Sequence, residues 1–166
     1  EVPPSSYEQE LSRKLYHFME ESLNTGWQSW YFEQYNTIIT LKKLDEKGMI
    51  KSLDLSSTRI QTLAPLHDFD KITTLRLNRN NISLSELSYF PQLKHLEIQN
   101  NSLRNLVGIH AMPNLEYLDI SINPIDDYSP LFELKYLKTL VINRAVHPNM
   151  IEKLNARIPG LKINFI

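Results

Sequence analysis

The chain has 166 residues, with 18 Lys+Arg against 19 Asp+Glu for a net charge of -1, and it contains no cysteine. That length suits one domain, the balanced charge lacks the basic excess that nucleic acid or an anionic membrane surface selects, and no apolar run approaches the roughly 18 residues of a membrane helix. The missing cysteines exclude a disulfide framework, a thiol nucleophile and Cys-ligated metal, while leaving the compartment open.

The chain opens Glu1-Val2-Pro3-Pro4-Ser5-Ser6 without a methionine. A Pro/Ser tether of this kind commonly follows a removed leader, so the expectation is a secreted or periplasmic location, with a cytoplasmic one as the alternative. Ser6 and Gln9 form a capping-box pair, and Tyr7, Leu11, Leu15, Phe18, Met19 and Leu23 fall on one face at helical spacing. Gly26 can take the left-handed position that ends this helix. Trp27, Trp30, Tyr31, Phe32 and Tyr35 then crowd together. They are either a platform for carbohydrate or peptide or an apolar plug over the end of the array that follows. The plug weighs more, because a stack of repeats exposes apolar surface at each terminus. Residues 37–43 are expected to pair antiparallel with the first repeat strand through a turn at Asp45-Glu46-Lys47-Gly48, covering the sheet edge. A helix over residues 37–46 is the alternative.

From Ile50 the sequence repeats itself. Ile50-Lys-Ser-Leu53-Asp-Leu55 recurs as Ile72-Thr-Thr-Leu75-Arg-Leu77, Leu93-Lys-His-Leu96-Glu-Ile98, Leu115-Glu-Tyr-Leu118-Asp-Ile120 and Leu137-Lys-Thr-Leu140-Val-Ile142. The spacing is about 21–22 residues, a period that means stacked supersecondary units. The fourth- and sixth-position Leu/Ile should point inward from short parallel strands, each worth roughly 1.5–3 kcal/mol once neighbours enclose it. Asn80, Asn101 and Asn123 at the ninth position are expected to bond the backbone of adjacent turns, with Thr58 and Ala145 standing there in the first and fifth copies. Leu63–Phe69 and Tyr128–Leu134 should cross back as turns or 3₁₀ segments bent by a proline, and the short second copy makes residues 84–87 the place for an irregularity. After Ile142 the pattern gives way to a helix near residues 149–158, stopped by Pro159-Gly160, and a last strand at 161–165. The organisation is therefore an N-terminal cap at 1–49, repeats at 50–142 and a C-terminal cap at 143–166, all one domain.

Side chains between the buried positions should form lanes across the sheet face. One lane is Ser52, Thr74, His95, Tyr117 and Thr139; the next is Asp54, Arg76, Glu97, Asp119 and Val141; the third is Ser56, Asn78, Gln99, Ser121 and Asn143. Arg79, Ile122 and Arg144 come just beyond the strands. The candidate partner-binding residues are Arg76, Asn78, Arg79, His95, Glu97, Tyr117, Asp119 and Ile122, which combine aromatic, cationic and apolar character of the kind that anchors interfaces. A merely solvated polar face is the competing reading. The five histidines are scattered, with no HExxH, Gly-rich phosphate loop, GxSxG or carboxylate-rich calcium loop. His95 next to Glu97 is a dyad on paper, more simply read as surface. No enzyme activity, metal or cofactor is expected.

The repeats of residues 50–142 resemble the leucine-rich repeat superfamily, and the Ala64-Pro65-Leu66 and Ser129-Pro130-Leu131 crossings resemble the 22-residue class of bacterial internalins and phosphatase-regulator repeats. Residues 151–163 are similar to the terminal repeat-and-cap of many bacterial members. The resemblance implies an α/β repeat solenoid, a right-handed horseshoe with a short parallel concave sheet. It also implies a bacterial protein-protein recognition module using that sheet; the charge balance and the lack of a long apolar run add the expectation of no nucleic acid and no membrane insertion, and the chain is expected to be a monomer. A structural domain of a secreted virulence factor is a further alternative.

Overall fold

The computed structural model describes residues 51–57, 62–66 and 69–166. The expected N-terminal helix, aromatic cluster and hairpin of residues 1–49, and Thr58, lie outside them. Each repeat opens with a short strand: β1 (Ser52–Asp54), β2 (Thr74–Arg76), β3 (His95–Glu97), β4 (Tyr117–Asp119) and β5 (Thr139–Ile142), followed by β6 (Lys162–Phe165). They form one six-stranded sheet in sequence order, every neighbouring pair parallel.

The register follows from the leucines. Leu53, Leu75, Leu96, Leu118 and Leu140 face one another strand by strand, with Ile163 last in the row. Leu53 is 1% exposed and the other four leucines are fully buried, so these side chains make a single column. Leu55, Leu77, Ile98, Ile120 and Ile142 form a second buried column. A one-residue slip in any strand would turn an aliphatic side chain out to water, which is why the pairing is uniform. Leu66, Leu87, Ile109 and Leu131 close the layer from the return side.

The return crossings are 3₁₀ segments at Ala64–Leu66, Leu84–Tyr89, Ile109–Ala111 and Ser129–Glu133. About 22 residues per coil leave too few for an α-helix after strand and turns, and i→i+3 bonding shortens the path. The short second copy does carry the irregularity: its 3₁₀ run is six residues, the longest of the four, opened by Ser83, whose hydroxyl accepts from the Ser85 amide. Within that run Glu86 reaches back to the preceding repeat, accepting from Thr62 Oγ1 at 2.9 Å and the Leu63 amide at 2.8 Å.

The pattern change after Ile142 appears as a helix, Pro148–Arg157, with Pro148 in its first turn and the His147 ring accepting from the Asn149 amide. Proline is tolerated there because the first amides of a helix have no intrahelical acceptor. Leu154 is buried beneath the helix, and the Arg157 guanidinium sits 5.5 Å over the Phe132 ring of the last crossing.

Candidate functional site

The strand register brings the three predicted lanes together across the sheet. Thr74, His95 and Tyr117 are direct neighbours, as are Arg76, Glu97 and Asp119. At the centre Glu97 collects three donors. Its Oε1 accepts from His95 Nε2 at 2.8 Å and from Arg76 Nε at 3.2 Å, and its Oε2 from Asn78 Nδ2 at 3.1 Å. The His95 hydrogen bond, with the Arg76 charge and the Asn78 amide, outweighs the effect of burial and holds the Glu97 carboxyl below its ordinary value. His95 in turn lies flat against Tyr117, ring centroids 4.2 Å apart and planes 2° from parallel. Five of the predicted site residues, Arg76, Asn78, His95, Glu97 and Tyr117, are thus one connected group.

Several placements depart from the lane picture. His95 is only 6% exposed, so it is a buried ring and the reading of the dyad as open surface is corrected. Its two neighbours explain this: the carboxylate satisfies one nitrogen while the tyrosine covers a face. Ser121 is fully buried and Val141 is 8% exposed, so neither offers a contact surface. The third lane works mainly as a ladder. Ser56 Oγ accepts from the Asn78 amide, Asn78 Oδ1 from the Gln99 amide, and Ser121 Oγ from Gln99 Nε2. Asp119 bends towards Ser121, taking its amide at 3.0 Å and its hydroxyl at 2.6 Å.

The ninth-position asparagines are committed to the backbone. Asn123 donates to the carbonyls of Ile98, Ile120 and Ser121 and accepts from the amides of Asn101 and Leu103. Asn101 donates to Leu77 and Gln99 and accepts from Ile82, while Asn80 donates to Leu55 and Leu77. Where the fifth copy has Ala145, Asn143 takes over part of the task by donating to the Asn123 carbonyl.

Sequence reasoning missed the backbone at the eighth position. Ser57, Arg79, Asn100 and Ile122 all have positive φ, between 53° and 60°. The chain must turn out of each strand at the same point, and the left-handed region achieves this in one residue. Asn takes it readily; a β-branched residue does not, at a cost of about 1–2 kcal/mol. Ile122 does so while 50% exposed, its amide held at 2.7 Å by Asn143 Oδ1. Only a recurring polar residue after the Leu-x-Leu core hinted at the turn, and isoleucine breaks even that hint. A second unforeseen feature is an open groove of about 380 Å³ between Asn81–Leu84 and Asn101–Asn105, with Val107 at its edge. Among the described residues no group of three or more His, Asp or Glu gathers to hold a metal, and no helix is long and apolar enough to cross a membrane.

Comparison with known proteins agrees with this geometry. Residues 91–133 match the family model described as leucine rich repeats (2 copies). The chain is 37% identical over 95 residues to Toll-like receptor 2 of Bison bison, covering 56% of this chain and 12% of that protein. Toll-like receptor 2 of Ovis aries is 37% identical over 82 residues, 49% of this chain and 10% of the relative. This chain therefore spans only about an eighth of the curated relatives it matches. Among solved structures, internalin C2 from Listeria monocytogenes superposes with a TM-score of 0.57 at 28% identity, over 72% of this chain and 53% of the internalin. The Leptospira interrogans leucine-rich repeat protein LIC12759 gives a TM-score of 0.60 at 24% identity, over 75% of this chain and 33% of that one, a likeness of fold. With its repeated Leu-x-Leu strands in one parallel register and its asparagine ladder, the chain has the solenoid fold of leucine-rich repeat proteins, and residues 91–133 carry the repeat itself.

Proposed function

We propose that this chain is a non-catalytic recognition module that binds a protein partner on the sheet face around Arg76, Glu97, His95 and Tyr117. The observation that carries the reading is the connected group itself. Glu97 fixes Arg76 and Asn78 from one side, and the His95 ring supports the Tyr117 ring from the other. Side chains already held in place lose little freedom on binding, so less of the contact energy is spent on ordering them. Tyrosine and arginine on a rigid support are the residue types that dominate interface energetics. Six strands at about 4.8 Å spacing give a face about 24 Å across, enough for much of a standard contact of about 800 Å² per partner. Likeness to an internalin and to a Toll-like receptor is consistent with recognition, and with a secreted or periplasmic location, which forms part of the same proposal. Asp119, Arg79 and Ile122 extend the face towards the strand ends.

The test is capture of partner by the purified chain and by an Arg76→Ala/Tyr117→Ala double variant of equal thermal stability. The expected result is loss of about tenfold or more in affinity for the captured protein. Equal recovery of the same partner by both would reject this face.

A further inference from the structure

Beyond the central group, the rim where the chain leaves the strands combines three independent peculiarities. The first is the conformation of Ile122: φ is 53° with the side chain half exposed. A β-branched residue in the left-handed region is strained, and the fold does not need isoleucine there, since Asn100 occupies the same turn one repeat earlier. Strain of this kind is held in place by the surrounding structure, here by Asn143 Oδ1 on the Ile122 amide, and it clusters at sites of contact and switching.

The second is an imbalance of charge. The eighth-position series runs Ser57, Arg79, Asn100, Ile122 and Arg144, with two cations and no carboxylate. The nearby carboxylates are already engaged: Glu97 by His95, Arg76 and Asn78, and Asp119 by Ser121. Arg79 and Arg144 are exposed. Neither guanidinium has an ion-pair partner among the described residues.

The third is spacing. The amides of Ser57, Arg79 and Asn100 bond the seventh-position carbonyls of the following repeats, so these residues stand in one row. Ile122 keeps its place in that row through the Asn143 side chain. At about 4.8 Å per strand, Arg144 lies one step from Ile122 on one side and Arg79 two steps away on the other. An apolar side chain therefore projects from a short ridge with a free guanidinium towards each end.

We infer that Ile122 is an exposed contact anchor, and that the Arg79–Ile122–Arg144 ridge receives an extended segment of a partner protein in which an apolar side chain is flanked by carboxylates. Burying the isoleucine would supply the apolar contact, and each arginine would take a carboxylate by paired hydrogen bonds. The inference rests on the proposed recognition role and narrows it to the rim and to a partner chemistry.

The probes are three synthetic ten-residue peptides: one with a central leucine between aspartates, the same with lysines for the aspartates, and the same with serine for the leucine. Binding is followed by titration calorimetry and by amide NMR shifts of the whole chain. The acidic leucine peptide should bind and shift the amides of Arg79, Ile122 and Arg144, and the other two should not. Ile122→Asn and Arg79→Ala/Arg144→Ala should each weaken it by about tenfold. Ile122→Asn should also raise Tm by about 1–4 °C, because asparagine accepts the turn without strain. No binding by the acidic leucine peptide, binding unchanged in Ile122→Asn, or a lowered Tm in that variant would each overturn the inference. The Arg76→Ala/Tyr117→Ala variant separates the two proposals. Peptide binding lost in Ile122→Asn but kept in Arg76→Ala/Tyr117→Ala supports the ridge and counts against the central face. The reverse pattern overturns the ridge and leaves the central face standing.

Discussion

Two polar systems run through the repeats, and they spend the same kinds of groups differently. The ninth-position ladder is buried: Asn101 and Asn123 are each 2% exposed, and all their partners but one hydroxyl-bearing neighbour's carbonyl belong to leucine, isoleucine or amide residues of the turns. The central group on the sheet face uses a carboxylate, a guanidinium, an amide and two rings, and its members bond mainly to one another through side chains. Backbone partners are present in every repeat, so the ladder recurs as asparagine. Side-chain partners have to be supplied case by case, so the face varies from strand to strand. The lesson is that recurrence marks the polar groups consumed by the backbone, and variation marks those that pair among themselves on the face.

The sharpest way to break this contrast is Asn123→Ala. It strands the carbonyls of Ile98 and Ile120 and the amides of Asn101 and Leu103 in the interior, and the expected loss is about 3–5 kcal/mol of stability in urea unfolding, well above the ~1 kcal/mol centre of single substitutions. A loss near 1 kcal/mol would mean that water or a relaxed turn replaces the side chain and that the ladder is not structural.

A smaller effect is expected on the face. Glu97→Gln keeps the shape but removes the charge that His95 and Arg76 share, costing about 1–2 kcal/mol at neutral pH. Glu97 is held below its ordinary value of 4.5 in the folded chain. Its contribution is therefore complete above that value and is lost as pH falls through the lower, folded one. Stability measured from pH 7 downward should drop less steeply in Glu97→Gln than in the parent over that acidic range. Parallel curves would show that the carboxylate is not coupled to its neighbours.

The smallest effect belongs to the rim of the sheet. Lys138 and Glu116 pair at 2.6 Å, with Lys138 Nζ donating. The lysine hydrogen bond lowers the Glu116 carboxyl, yet the lysine side chain is 72% exposed, so water and salt screen the pair. Lys138→Ala should change thermal stability by less than about 0.5 kcal/mol. A larger loss would put this outer pair in the same class as the central one.

Reading forward from residues worked best where the repeat forced a single answer. The leucine columns, the parallel register, the 3₁₀ crossings and the role of Asn80, Asn101 and Asn123 all follow from a period that no other packing satisfies. It worked less well for exposure. Ser121 looks like a surface serine from alternation, yet it is fully buried because Gln99 and Asp119 close over it through hydrogen bonds that depend on neighbouring strands. His95 reads as surface for the same reason, since alternation gives a side of the sheet and not the neighbour that leans on it.

What the amino-acid order determined by itself is the solenoid: aliphatic side chains at a fixed period have one way to leave water together, and asparagine at a fixed offset has one set of orphan backbone groups to meet. Tertiary structure alone decided the union of Arg76, Glu97, Asn78, His95 and Tyr117, residues up to 41 positions apart that meet only across three strands. It also decided the left-handed turn of Ile122, which local preference opposes. Both depend on distances between repeats, and those distances exist only after the stack has formed.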